Sequence, residues 1–510
     1  MAADNQPHVD NLHMMRTLEM EAQALSVDQQ VRDQRSKSDQ SRKPRFEAKP
    51  DDRQRPKVFR DTQQSKTDHN RREVRETKAK VIPELVTPEN CRDILSRVAE
   101  PLHDLDYDSQ LELKRLKNRD AVKAIKAAIG QESDVAIAEI ISSPLTSGYR
   151  SSDTFSVGSN VDGSKDTAGY FVRSGEAGAV CIPPDNLVCL RSAHKAVCDV
   201  YGAAVRQSHL PACHGYGKQE PGHWRDIKVM SNGSGEILAV VNFHPQDMGL
   251  VELQQVKNGL VDTFRSNCPL VRSLFFRPSA ARHASSSEAP AELLYGNQFL
   301  EDTISDSSFK MRLGADTFPM PNPSIASKLI EAVRKELKLK GDGILLHLSC
   351  RHGGGLLPVA LAGGLLPVAL ANQASKCFIF GDETQISEAM CNAADNGVYN
   401  CFFNDVPLNG PVLKSMLSET RADSGRISVL VTAGKSGLGF SVIRAMRIHD
   451  NVRRVVYVSS KPEGREAMAN FAALSAIKGG AGKPFKLRSA IPVDYLPNTH
   501  HCEHILTWTR

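Results

Sequence analysis

Two hydroxyls and one carboxylate stand where covalent chemistry could be run. Ser459 and Ser460 close the apolar run Val455-Val456-Tyr457-Val458 and precede Lys461-Pro462. Glu503 comes just before a second apolar run, Ile505-Leu506-Thr507-Trp508. In an open α/β sheet, ligands bind outside the C-terminal ends of the strands, so a strand-end serine there is a candidate nucleophile. A serine hydroxyl is un-ionised at neutral pH and needs an adjacent base, usually an imidazole. His500, His501 and His504 are the imidazoles near Glu503. His500, Cys502 and His504 also alternate, so on a strand they would share a face, as zinc ligands can. An ordinary strand-end serine and a structural carboxylate are the plainer readings of Ser460 and Glu503.

The elements that must position these groups are legible as alternation. The stretches ILLHLS, KCFIFG, NCFFND, ISVLVT and RVVYVS are near-continuous apolar runs between 344 and 459. Such runs mark parallel strands covered on both faces. Helical stretches fall between them at about 384–396, 411–419, 440–449 and 463–477, which predicts a doubly wound Rossmann-like domain over 321–510. A helix should begin at Ser324 as N-cap. Between the first two strands GGLLPVALA occurs twice, at 354–362 and 363–371, and each copy carries a proline that would interrupt a continuous helix.

Upstream, residues 140–320 read as a β-rich substrate-binding domain of short strands bounded by Gly, Ser and Asp. WRDIKVMSNGSGEILAVVNFHP should form a hairpin of two alternating strands turning at Asn232-Gly233. Residues 279–292 are a Ser/Ala-rich linker or loop. Residues 81–139 are helical, with Leu111, Leu113, Leu116, Val122, Ile125 and Ile129 near a 3.6-residue period. Asp106 or Asp108 should cap the start of that helix and Gly130 its end. Residues 1–80 hold about 18 Lys+Arg against about 14 Asp+Glu and few apolar side chains. Such a segment cannot bury enough apolar surface to offset its ordering entropy and is expected to be disordered. Its early acids, Asp4, Asp10, Glu19 and Glu21, count against a mitochondrial presequence.

The net charge of +5 is too mild to argue for nucleic-acid binding by itself. Eleven scattered cysteines with no CxxC pair suit reduced thiols inside a cell. No apolar run is long enough to span a membrane.

Several segments together resemble the tRNA (uracil-5-)-methyltransferase family, and especially its vertebrate mitochondrial branch. In that family the strand that matches Val458-Ser459-Ser460 ends in Val-Ser-Cys, and the cysteine is the nucleophile. The family's closing segment, Pro-Val-Asp-x-Phe-Pro-His-Thr-x-His-Cys-Glu, matches Pro492 to Glu503, and its glutamate is the catalytic base. Gly148-Tyr149-Arg150, Trp224-Arg225 and Phe243-His244-Pro245 match as well, which makes Arg150 a candidate RNA contact.

The resemblance implies methyl transfer from S-adenosyl-L-methionine to carbon 5 of uridine, with tRNA or another structured RNA as partner. In that chemistry a thiolate adds to carbon 6 and carbon 5 takes the methyl group. A base then removes the carbon-5 proton, and the thiol leaves. It also implies donor contacts at positions that are altered here. Met320 replaces a glutamine, His347 an acid and Thr432 an acid or amide. Gly353 remains of the glycine turn, and Asp382 or Glu383 is the candidate ribose acid. The nucleophile position is Ser460. The leading expectation is a family member whose catalysis is lost or severely reduced. An active enzyme with another nucleophile, such as Ser460 or Cys502, is the second. A metal- or partner-binding scaffold is the third, although no resident metal is expected. The compartment is intracellular, mitochondrial or cytosolic.

Overall fold

The computed structural model describes residues 85–174, 178–213, 221–279, 289–304, 308–349, 365–381, 383–420, 425–432, 437–477 and 480–510. The expected disordered tail, most of the Ser/Ala-rich stretch, the first copy of the nine-residue repeat, Gly353 and Asp382 lie outside them.

Two helices come first, α1 (Cys91–Ala99) and α2 (Tyr107–Ile129). The Asp106 carboxylate accepts the Ser109 amide at 2.9 Å, and Gly130 ends α2 in the left-handed region at φ 62°. The caps are as expected, but the buried stripe is not. Leu113 and Leu116 face solvent, while Gln110, Lys114 and Asn118 are buried at i, i+4 and i+8. Lys114 turns inward because a buried carboxylate, Asp494, awaits it.

A short strand β1 (Ala136–Ile137) leads to a seven-stranded sheet. Its strands are β2 (Ser152–Gly158), β3 (Thr167–Ser174), β4 (Gly178–Ile182), β5 (Trp224–Ser231), β6 (Ile237–Phe243), β7 (Val271–Pro278) and β8 (Glu292–Tyr295). They lie in the order β4-β3-β2-β5-β6-β7-β8. The β5–β6 hairpin forms as expected, but the positive φ falls at Gly235, not at Gly233. Neither strand alternates. Every residue of β6 is buried, because it lies between β5 and β7 in the middle of the sheet.

This region also holds two helices that a β-rich reading omits, α3 (Ser192–Gln207) and α4 (Leu250–Asn267). Val197, Tyr201 and Val205 bury one face of α3 at four-residue spacing. α4 carries the chain from β6 to its parallel neighbour β7. Parallel neighbours require such a crossover.

A hairpin of β9 (Phe299–Thr303) and β10 (Lys310–Gly314) leads into the second half of the chain. Asn322, not Ser324, caps the next turn: its side chain accepts the Ser324 amide at 3.2 Å and the Ser324 hydroxyl at 2.6 Å. The helix proper, α5, runs Ala326–Leu337. The doubly wound part then alternates as expected. Its strands are β11 (Ile344–Ser349), β12 (Lys376–Phe380), β13 (Cys401–Asn404), β14 (Ile427–Thr432) and β15 (Val452–Ser459). Its helices are α6 (Leu365–Ala371), α7 (Glu383–Asp395), α8 (Gly410–Glu419), α9 (Phe440–Ile448) and α10 (Arg465–Ser475). Pro367 does not break α6, because it lies in the first turn, where no amide partner is needed.

The chain closes with β16 (Lys486–Val493) and β17 (Glu503–Thr509). The full order is β1-β16-β17-β15-β14-β11-β12-β13, with β17 antiparallel to both of its neighbours. The direction of winding reverses between β11 and β14, which is where an open α/β sheet forms its ligand crevice. The C-terminal ends of β11, β14 and β15 and the start of β17 meet at that edge. Residues of both large sheets, from Phe155 to Ile505, share one apolar cluster.

Candidate active site

β15 and β17 pair with Ser459 opposite His504. Ser460 follows the last residue of β15, and Glu503 opens β17 opposite Val493 of β16, so the two lie at the same edge of the sheet. Directly opposed residues on antiparallel strands share a face. Ser459 and His504 therefore share one face. Glu503 and His504 are buried and Ser460 is half-buried.

The imidazoles divide. His501 Nε2 comes within 3.3 Å of Glu503 Oε1. The approach is in ion-pair range but off hydrogen-bond geometry, and neither atom has another partner among the described residues. His504 turns the other way, with Nδ1 3.3 Å from the Ser459 carbonyl oxygen. Burial holds its pKa down at about 4, so it is neutral at physiological pH. His500 is exposed. Cys502 packs against Leu111 and Ile140, and burial pushes its thiol up to about 12. His500, Cys502 and His504 thus do not converge, and among the described residues no group of three or more metal-ligating side chains does.

The segment before Glu503 is fixed by contacts that composition does not announce. Lys114 pairs with Asp494 and donates to the Leu496 carbonyl at 3.0 Å. Gln110 donates to Asn498 Oδ1 at 2.9 Å and accepts the Asn498 amide at 2.8 Å. The Tyr149 hydroxyl donates to the Pro497 carbonyl, and Asn322 Nδ2 to that of Tyr495. The signal for α2's part was present in the sequence: polar residues at 110, 114 and 118 follow one helical stripe.

On the donor side, Met320 is buried in the apolar cluster, and its carbonyl accepts the Ser151 hydroxyl. A thioether there cannot replace the two-way hydrogen bonding of an amide. His347 and Thr432 bond to each other: Nε2 and Oγ1 lie 2.7 Å apart across β11 and β14. Burial drives the His347 pKa down to about 3, and its Nδ1 has no partner among the described residues. Glu383 opens α7 exposed and lines a cleft of about 570 Å³ with Asp316 and Arg312. Of the donor positions described, only Glu383 is a carboxylate. The described residues therefore do not assemble the acidic set that the resemblance implies for S-adenosyl-L-methionine.

Arg150, the candidate RNA contact, is tied to a buried carboxylate. Its Nε donates to Asp153 Oδ1 at 2.5 Å, and it donates to the Ser152 carbonyl at 3.2 Å. Asp153 is fully buried and also meets the Tyr170 hydroxyl at 2.9 Å and His194 Nδ1 at 2.7 Å. His194 Nε2 reaches Ser231 Oγ at 2.7 Å. The Asp153–His194–Ser231 chain imitates a catalytic triad in order. All three side chains are closed off from solvent, so it stitches β2, α3 and β5 together and presents no nucleophile.

The reversed winding, the crevice edge and the antiparallel β17 define a Rossmann-like methyltransferase fold joined to a second sheet. No family profile matches the chain. Curated relatives do. The zebrafish (Danio rerio) tRNA (uracil-5-)-methyltransferase homolog B is 31% identical over 436 residues, covering 82% of this chain and 86% of that protein. The human homolog B is 29% identical over 439 residues, covering 82% and 84%. The mouse homolog A is 26% identical over 444 residues, covering 82% and 69%. The chain belongs to the tRNA (uracil-5-)-methyltransferase family. Among solved structures, the Pyrococcus abyssi tRNA (uracil-54, C5)-methyltransferase in complex with S-adenosyl-L-homocysteine superposes with a TM-score of 0.56. It is 16% identical and covers 81% of this chain and 86% of its own, which supports the fold. Among the described residues no helix is long and apolar enough to cross a membrane.

Proposed function

We propose that this protein is a tRNA-directed family member that keeps the fold and has lost, or nearly lost, transfer of a methyl group from S-adenosyl-L-methionine to carbon 5 of uridine. In this reading residues 140–320 form the RNA-facing domain and 321–510 the catalytic-type domain.

The observation that supports it is the order of groups at Ser460. Glu503 opens β17 at the edge where Ser460 follows β15, and His501 stands against Glu503. A triad needs the imidazole between hydroxyl and carboxylate. A carboxylate is too weak a base to ionise a serine hydroxyl at neutral pH. A thiol at that position would be partly ionised already, strongly nucleophilic and a good leaving group. Losing such a nucleophile typically costs on the order of 10⁴–10⁶ in rate. Pairing of His347 with Thr432 weakens the donor side independently.

The test is transfer of a labelled methyl group from S-adenosyl-L-methionine to unmodified tRNA by the parent protein, Ser460→Cys and Glu503→Ala. The expected result is no transfer by the parent. Transfer gained by Ser460→Cys would show that the donor pocket still works and that the nucleophile alone was lost. Robust transfer by the parent that Glu503→Ala abolishes would overturn the proposal and point to a rebuilt active site.

A further inference from the structure

A concentration of positive charge lies away from Ser460. A cleft of about 870 Å³ opens at the other end of the second sheet, under the N-terminal ends of β11, β14 and β15 and the last residues of β17. Lys338, Lys340, Arg426, Arg453, Arg454 and Arg510 line it, with Asp342 as the one acidic side chain of the lining. From Arg454 to Ser460 is six strand residues, roughly 20 Å at the rise of a β-strand.

The cations differ in what they answer. Arg510 is spent inside the protein, donating to the Val452 and Arg447 carbonyls and, with a third bond, to that of His449. Lys338 and Lys340 follow the C-terminus of α5, where positive charge offsets unsatisfied carbonyls. Arg426 and Arg453 are exposed at strand starts, and Arg453 lies near enough to Asp450 to help hold its carboxyl below the usual range. Among the described residues none of Lys338, Lys340, Arg426, Arg453 or Arg454 forms an ion pair. Burial lowers the Arg454 pKa, with Glu336 opposing, yet an arginine remains charged. A chain with a net charge of only +5 has gathered around one cavity five cations that form no ion pair among the described residues.

We propose that this cleft is a second RNA-contact surface that holds the phosphate backbone of the same RNA whose uridine faces the Ser460–Glu503 edge. The inference rests on the RNA-directed reading above. Guanidinium and ammonium groups in a concave polar site, outnumbering the nearby carboxylates Asp342, Glu336 and Asp450, match a run of phosphates. Contacts of this kind position an RNA without reading its bases.

The test uses the full chain and an unmodified tRNA transcript, with Lys340→Gln, Arg426→Gln and Arg453→Gln combined in one variant. All three are exposed, so the melting temperature should hold. The expected result is at least a tenfold loss of tRNA affinity near 150 mM salt. The slope of log affinity against log salt should fall by about 2–3, since each lost phosphate contact removes about 0.7–0.9. Two parallel arms measure S-adenosyl-L-homocysteine binding, expected to be unchanged, and binding to phosphatidylserine vesicles. A parent that binds tRNA and a variant with the same affinity and slope would overturn the cleft assignment and leave the RNA-directed reading standing. A parent that does not bind tRNA would overturn both. A variant that keeps tRNA but loses the vesicles would assign the cleft to a membrane surface and overturn the proposal.

Discussion

His347 and Thr432, on the adjacent parallel strands β11 and β14, meet at 2.7 Å, so two buried polar side chains near the C-terminal ends of these strands are partnered with each other. Removing the hydroxyl leaves a fully buried imidazole with neither nitrogen bonded to a described residue. Thr432→Val should therefore destabilise the fold by about 1–3 kcal/mol, the cost of an orphaned buried polar group. A shift of the urea midpoint with unchanged m-value measures it. No loss of stability would mean that a water replaces the hydroxyl.

Two buried histidines give the fold a pH dependence of known sign. His347 is held down at about 3 and His504 at about 4, both by burial, against an ordinary value near 6.5. Below pH 6.5 the unfolded chain takes up protons that the folded chain refuses. Stability is then full above about pH 6.5, falls as pH drops, and levels off below about pH 3–4. Between pH 7 and 4.5 each histidine should cost on the order of 2–3 kcal/mol. His347→Asn should flatten that part of the stability profile in denaturant titrations at fixed pH values. A slope equal to that of the parent would contradict the burial argument.

Lys114 and Asp494 form an ion pair with both side chains buried. Lys114→Met strands a carboxylate in the core and should cost about 3–5 kcal/mol. Adding Asp494→Leu should recover most of that loss, because two apolar groups leave no uncompensated charge. Chemical denaturation of the single and double variants decides it. A double variant as unstable as the sum of the single ones would mean the pair acts independently.

Arg150→Ala should act on stability and leave RNA affinity alone. Its guanidinium compensates buried Asp153, so its loss should lower stability by about 2–4 kcal/mol while the salt slope of tRNA binding stays at the parent's value. A reduced slope with intact stability would return Arg150 to the RNA surface.

Cys502 should be inert. Its thiol is buried among Leu111 and Ile140 and pushed up to about 12, so almost none of it is thiolate at neutral pH. Iodoacetamide should label exposed Cys391 in the native protein and leave Cys502 unlabelled until denaturant is added, as peptide mass spectrometry would show. Fast native labelling of Cys502 would revive it as a replacement nucleophile.

The doubly wound half was readable from the chain because parallel strands buried on both faces must be apolar throughout, and runs such as ISVLVT carry that requirement locally. The caps at Asp106 and Gly130 were readable for the same reason: the backbone groups they satisfy lie within a turn of them. The two helices among the β-rich strands were missed because a half-buried helix and a short strand carry similar apolar counts. The resemblance at 492–503 and at Ser460 was visible in the residues themselves. What only the tertiary structure decided was partnership. Sequence could not show that His347 bonds to Thr432, that Arg150 serves a buried aspartate, that Lys114 turns inward, or that His501 stands against Glu503. The first and third depend on groups 85 and 380 residues apart being brought within 4 Å, whereas Arg150–Asp153 and His501–Glu503 are near neighbours in the chain whose meeting depends on side-chain direction and burial. Desolvation then decides whether a polar side chain binds a ligand or compensates a neighbour. A linear chain specifies which groups need partners, and the packed fold assigns them.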